Sequence, residues 1–237
     1  MAVDILAIGA HPDDVEIGIG GLVRKLVLAG RRVGILDLTQ GEMGTRGSVE
    51  ERQQEAADSA RILGVAEREN ACLPDGALAN TSVMQRTVVP ILRRFRARVI
   101  LAPYDQDRHP DHSAAHALAR DANYFAGLSR IESDAPPHRA PVVYYYRVYG
   151  EPTAPQFVVD ISKEFETKLE ALRAYRSQFF NPEYQGTPTY VSSEEFWESI
   201  RVKAAYWGKS IGATYGEPLY VQTPLGVQIP PGMEGNP

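Results

Sequence analysis

Along the first half of the chain, short apolar runs alternate with amphipathic stretches. Residues 3–8, 32–38, 69–73 and 99–102 predict strands, the last stopped by Pro103. Residues 18–29, 49–63, 81–95 and 111–125 carry the helical spacing, and Gly64 stands where a helix ending in a left-handed residue would stop. Strand and helix in alternation imply βαβ units. The expectation is an α/β fold, Rossmann-like and doubly wound, with a mainly parallel sheet and helices on both faces.

The second half is less regular. Residues 129–141 are polar and Pro-rich and predict a loop, 142–146 and 157–161 predict strands, and 162–180 and 193–207 predict helices, with Ser162 near the start of the first. From about residue 223 the chain is rich in Pro and Gly, which predicts an extended tail. There is no internal repeat and no long linker, so residues 1–237 are expected to form a single domain carrying that tail.

Composition narrows the classes. At 237 residues, with 43% hydrophobic and 23% charged residues, the chain can bury a substantial core and resembles an ordinary soluble protein. A net charge of −5 argues against nucleic acid or an anionic membrane as partner, since both attract basic surfaces. Cys72 is the only cysteine, which excludes an intrachain disulfide and a cysteine-rich metal site. Within Ala71-Cys72-Leu73 it is expected as a small buried strand residue. The N-terminal segment has no basic stretch before an apolar core, and no run approaches the ~20 apolar residues of a membrane span. A cytoplasmic location is the expectation.

The candidate chemistry sits in two short segments, His11-Pro12-Asp13-Asp14 and His109-Pro110-Asp111-His112, each just after a predicted strand. Ligands of open parallel sheets bind beyond the carboxyl ends of the strands, so the fold would bring both segments to one rim. His11, Asp14 and His112 would give a His₂Asp set with one open position, as a catalytic zinc requires, although iron or manganese could take the same donors. Asp13, beside a ligand but pointing elsewhere, suits a general base. His109 could polarise a carbonyl or an oxyanion, with Asp111 accepting a hydrogen bond from its ring and keeping it protonated.

Either segment alone would more often be a turn with a capping aspartate, and Asp111 could simply cap the helix after it. Two such segments at one rim are harder to dismiss. His116 reads as a helix-face residue, and His138 is given no role. Gly18-Ile19-Gly20-Gly21 is a poor dinucleotide fingerprint, because the preceding loop carries His and Asp instead of glycine. Close packing of a helix is the better account of those glycines.

At these motifs the sequence resembles the PIG-L/LmbE-like zinc deacetylases, whose hallmarks match Ala10 to Asp14 and His109 to His112. The segment from Thr39 to Gly47, the segment Leu73-Pro74-Asp75-Gly76, Tyr175 to Gln178 and Tyr215-Gly216-Glu217 extend the likeness over nearly the whole chain. Gln40 to Gly47 and the Asp107-Arg108 pair look most like the bacillithiol-biosynthesis branch, whose substrate is N-acetylglucosaminyl malate. The resemblance implies Zn²⁺ on His11, Asp14 and His112, a general base at Asp13, and His109 with Asp111 at the oxyanion and leaving amine. It also implies substrate contacts from Glu42, Arg52, Asp75 and Arg108, and a homo-oligomer, hexameric in that branch. Arg52, near a helix start, and Arg108 could equally be solvated surface charges. Rival readings are a deacetylase of chitooligosaccharides or inositol-linked sugars, and a non-enzymatic binding module around a structural metal. A redox nucleotide enzyme is disfavoured by the missing glycine-rich turn.

Overall fold

The structure is a computed structural model that describes residues 2–150, 153–224 and 226. Five strands, β1 (Ile5–Gly9), β2 (Val33–Thr39), β3 (Glu67–Leu73), β4 (Val99–Pro103) and β5 (Val142–Tyr146), form one sheet in the order β3-β2-β1-β4-β5. Every neighbouring pair in it is parallel. The chain winds outward from β1 to β3, then crosses to β4 on the other side of β1. The crevice between β1 and β4 is therefore the point where the winding reverses, and there a doubly wound sheet opens to ligands.

The apolar residues of β1 divide by parity, as a strand with both faces covered requires. Leu6 and Ile8 join one core with residues of α3 (Ser82–Phe95) and α4 (Pro110–Ala126). Ile5 and Ala7 join the other, with residues of α1 (Asp14–Leu28), α2 (Val49–Leu63), α5 (Phe165–Arg173) and α6 (Glu194–Ser210). Each fully buried aliphatic side chain here, such as Leu6, Ile8, Ile35 or Leu36, is worth ~1.5–3 kcal/mol of transfer free energy. The expected doubly wound α/β fold with helices on both faces is what forms. Among the described residues, no helix is long and apolar enough to cross a membrane.

Helix ends follow local chemistry. Ser48, Thr81 and Ser193 cap α2, α3 and α6, each hydroxyl accepting an amide N–H from the first turn. Gly64 closes α2 at φ 78°. The glycines of α1 serve contact, as expected. A Cβ on Gly18 would stand 2.3 Å from the Tyr146 ring, and one on Gly21 would stand 2.7 Å from Ile161.

α1 starts four residues earlier than its periodicity suggested and is broken at Ile19 (φ −143°, ψ 23°). The break releases amide groups, and the Glu217 carboxylate takes those of Gly21 (3.0 Å) and Leu22 (2.6 Å). Glu217 belongs to β7 (Gly216–Leu219), which pairs antiparallel with β6 (Phe157–Asp160) and which periodicity did not single out as a strand.

Two further expectations are corrected. The helix predicted over 162–180 is only Phe165–Arg173, because the Ser177 amide and hydroxyl both turn to the Glu55 carboxylate at 2.7 Å. Cys72 is exposed, not buried, at φ 52°, where the β2–β3 register shifts. The Pro/Gly-rich tail lies outside the described residues except for Thr223, Pro224 and Gly226.

Candidate active site

Both His/Asp segments reach the crevice. The first leaves β1 at Gly9, and the Thr39 amide and hydroxyl hold it by donating to Ala10 O at 3.0 and 2.9 Å. The His11 amide donates to Asp14 Oδ2 at 2.9 Å, which curls the loop into α1. Asp13 sits at the N-cap with φ 108°, yet its carboxylate makes no capping bond. A non-glycine residue held there is strained, and such strain collects at functional sites. The second segment leaves β4 and enters α4, with Pro110 at the first helical turn.

Asp14 lies between two histidines. Its Oδ2 is 3.4 Å from His11 Nδ1, and its Oδ1 is 3.1 Å from His112 Nε2. Each histidine has a carboxylate at its other nitrogen. His11 Nε2 lies 3.1 Å from Asp75 Oδ1 and 3.4 Å from Asp111 Oδ2, and His112 Nδ1 lies 3.1 Å from Asp107 Oδ1. That is the pattern by which outer carboxylates orient metal-binding imidazoles. Both ring nitrogens of buried His112 are near these oxygens without a well-directed hydrogen bond. Donors close to carboxylates but not bonded to them suit a cation. Ring nitrogens of His11, His109 and His112 also lie within 4.8 Å of one another, as do donors of His11, Asp75 and Asp111. The site thus offers overlapping donor sets around His11.

The surplus of carboxylates governs protonation. Burial alone would lower the His11 pKa, but Asp14, Asp111 and Asp75 push it up to about 12. His112 rises to about 9 against the same burial, on the charges of Asp14 and Asp107. Asp14 falls well below the usual carboxylate range, because His112 and His11 outweigh its burial. Asp13 goes the other way. Burial lifts it to about 7, and Arg52 only partly offsets this. One carboxyl poised near neutrality beside an anionic neighbour is the division of labour that hydrolysis needs.

Two sequence expectations change. The His109 ring does not donate to the Asp111 carboxylate. Its Nδ1 instead accepts the Asp111 amide at 3.2 Å, capping α4, while the Asp111 carboxylate accepts the Gly76 amide at 2.7 Å and faces His11. Burial and the neighbouring His11 and His112 lower the His109 pKa, and a ring that accepts the Asp111 amide at Nδ1 carries its proton on Nε2. Arg52, expected at the substrate, is buried and turned inward. It donates to Pro12 O (2.8 Å) and Gly41 O (3.0 Å) and lies 3.4 Å from Asp13 Oδ2, so it holds the two loops and the Asp13 carboxylate.

Glu42 and Asp75 cross-link the loops after β2 and β3. Glu42 accepts the Asp75 amide at 2.8 Å, and Asp75 accepts the Met43 amide at 2.9 Å. Arg108 is exposed, and its guanidinium carbon lies 4.5 Å from the Tyr149 ring centre and 4.3 Å from that of Tyr190. Sequence reading gave no role to Asp107, which holds His112 and accepts the His109 amide (3.1 Å) and the Tyr149 amide (2.9 Å). Nor did it find Tyr149, whose ring stacks on His112 at 5.4 Å. An aspartate two residues ahead of the His-Pro-Asp-His segment was the only signal for the first, and none existed for the second. His116 Nδ1 bonds Pro103 O (3.0 Å) and His138 Nε2 bonds Ala97 O (2.7 Å), both structural.

Known proteins place this arrangement. The model of the family PIG-L, GlcNAc-PI de-N-acetylase, matches residues 6–123. The diacetylchitobiose deacetylase of Thermococcus kodakarensis is 35% identical, over 90% of this chain and 80% of its own. A probable N-acetyl-alpha-D-glucosaminyl L-malate deacetylase of Bacillus cereus is 26% identical, over 73% of this chain and 83% of its own. The crystal structure of the conserved protein TT1542 from Thermus thermophilus superposes with a TM-score of 0.87 at 38% identity, covering 96% of this chain and 98% of that one. The chain belongs to the PIG-L de-N-acetylase family and is a metal-dependent deacetylase.

Proposed function

We propose that the protein hydrolyses the acetamide of an N-acetylglucosamine glycoside, releasing acetate and the free amine, with zinc held by His11, Asp14 and His112. The observation that carries this reading is the buried Asp13 carboxyl, raised to about 7 and aimed away from any capping bond, one residue from the carboxylate that joins His11 to His112. The donors, two imidazoles and a carboxylate, suit zinc with an open position. When bound, zinc supplies a Lewis acid that acidifies water and polarises the acetyl carbonyl.

The chain's own residues supply the proton movements. Asp13 takes a proton from the attacking water and returns it to the departing nitrogen as the carbon–nitrogen bond breaks. Arg52 fixes the Asp13 carboxylate. His109, with Nδ1 engaged by the Asp111 amide, presents Nε2–H to the carbonyl oxygen as negative charge develops there. Glu42 and Asp75 offer carboxylate acceptors to sugar hydroxyls, and Arg108 a fork for an acidic aglycone.

The finer reading is N-acetylglucosaminyl malate. It is supported by the exposed Arg108 beside His109 and by the Bacillus cereus relative. A second reading, diacetylchitobiose, is favoured by the 35% identical relative. Both are tested by acetate and amine release from the malate glycoside, diacetylchitobiose and N-acetylglucosamine, before and after chelation and zinc add-back. Metal-dependent turnover fastest on the malate glycoside supports the first. Loss of the reading altogether follows if the metal-loaded protein releases acetate from none of them. Self-association, implied by the family resemblance, is read by light scattering on the same preparation.

A further inference from the structure

Beside the crevice lies a cavity of about 510 Å³ between α6, the segment after β5, and β7. It shares a wall with the metal-donor set, because Tyr149 lines it and stacks on His112. Its lining is in part apolar, with Phe196, Ile200 and Trp207 from α6, and in part strongly cationic. Among the described residues, the single carboxylate in its wall, Glu217, is already taken by the Lys168 ammonium at 2.6 Å and by the Gly21 and Leu22 amides. Two other cations in the wall have no such partner among the described residues. The Lys203 ammonium reaches only the Val148 carbonyl, at 2.9 Å, and Arg108 rests against the Tyr149 and Tyr190 rings without an ion pair.

The cost of this arrangement is visible in Lys203. Burial first, and the Lys168 charge second, pull its pKa down to about 8, outweighing the carboxylates of Asp107 and Glu217. A half-buried ammonium facing other cations is stabilised when an anion joins it. The Tyr149 and Tyr190 rings flank the Arg108 guanidinium at 4.5 and 4.3 Å, and a guanidinium so placed can offer two N–H groups to the two oxygens of a carboxylate or phosphate.

We infer that this cavity is a binding subsite for a small organic anion with an apolar body, a carboxylate or a phosphate monoester, held by Lys203 and Arg108 one aromatic ring away from the metal centre. The anion can arrive on the substrate, as the acidic aglycone of the sugar, in which case the inference rests on the deacetylase reading. It can also arrive free, as an effector. The chemistry is shared, and the experiment separates the sources.

Zinc-loaded wild type, Lys203→Met, Lys203→Arg and Ser199→Glu are titrated calorimetrically with phenyl phosphate and, as neutral control, phenyl glucoside. Deacetylation of N-acetylglucosaminyl malate and of N-acetylglucosamine is measured alongside. Ser199 is exposed in the cavity wall one helical turn before Lys203, so its glutamate pairs with the Lys203 ammonium and repels an incoming anion while the lysine stays in place, should the methionine variant not fold. The expected result is a loss of phenyl phosphate affinity of about tenfold or more in Lys203→Met and Ser199→Glu, with Lys203→Arg close to wild type. A parallel fall in the preference for the malate glycoside assigns the anion to the substrate. An unchanged preference assigns it to a free ligand. Lys203-dependent phosphate binding in a protein that deacetylates neither of these sugars nor diacetylchitobiose keeps the subsite and removes the deacetylase reading. Phenyl phosphate binding no tighter than phenyl glucoside, or insensitive to both substitutions, overturns the inference.

Discussion

Two buried charge clusters start within three residues of each other on α1, one at Asp14 and one at Glu16. The Glu16 cluster is close to closed, although Glu16 Oε2 is buried without a hydrogen bond. Arg68 sets its Nε and Nη2 on the two oxygens of Asp37 (2.7 and 2.9 Å) and its Nη1 on Glu16 (2.6 Å), while Ser59 and Tyr175 donate to the same Glu16 oxygen. The cluster at Asp14 is open. Asp13, Asp14, Asp75, Asp107 and Asp111 converge there, and among the described residues Arg52 is the one arginine or lysine ion-paired with any of them. The difference teaches where to look for function. Nearly every donor in the first cluster ends on a protein acceptor, which is what a scaffold needs. The second leaves a carboxylate surplus that protein groups do not neutralise, and a cation would.

The comparison is broken most directly by removing one group from each side. Asp13→Asn is expected to lower kcat by ~10²–10⁴-fold with metal content unchanged, since a positioned general base contributes that much. Metal analysis beside kinetics checks it. If that variant loses metal while Asp14→Ala keeps it, the two aspartates have exchanged roles. Arg68→Met should instead destabilise the fold by ~3–5 kcal/mol, because it strands Glu16 and Asp37 as buried unpaired charges. Chemical denaturation reads this, and kcat per folded molecule should stay near wild type.

Smaller effects sharpen the contrast. Asp107→Asn should weaken metal binding by ~10–100-fold, the usual cost of losing a carboxylate behind a ligating imidazole. Competition with a chromophoric chelator measures it. Burial raises Asp13 to about 7, and the carboxylate is the active form, so kcat/KM should fall as pH drops through a midpoint at or below about 7. A bound cation favours the carboxylate and moves that midpoint down. A flat profile between pH 5 and 8 removes Asp13 as the base. Asp75 gives the smallest signal. Burial opposes its ionisation, but bonds from His11 and the Met43 amide hold it at about 2. The folded state binds that proton less readily than the unfolded chain, so the stabilisation is present above the ordinary carboxylate pKa. It is lost as pH falls from ~4 through 2, and Asp75→Asn should flatten that part of a stability curve.

What the sequence made legible were features set by periodicity and by strand ends. His11 and His112 could be placed because apolar runs fix where β1 and β4 stop, and a parallel sheet fixes which end of each strand meets ligand. What escaped depended on side-chain direction in loops or on contacts between distant residues. Arg52 reads as an exposed helix-start charge until the Pro12 and Gly41 carbonyls close around it. His109 offers its ring to an amide two residues on, a choice no spacing rule contains. The 162–180 helix ended early because of Glu55, more than a hundred residues away. β7 is four residues with a proline, Gly-Glu-Pro-Leu, too short to announce a strand.

The capping of the break in α1 by Glu217 has a consequence for the order in which the molecule is made. The loop bearing His11 and Asp14 is synthesised first, and the carboxylate that quiets the loose amides of the same helix arrives 195 residues after Leu22. Synthesis therefore delivers His11 and Asp14 long before the support that steadies the helix they open. The second half of α1 is completed only when β7 folds back onto it, a contact of long sequence separation that forms late in folding.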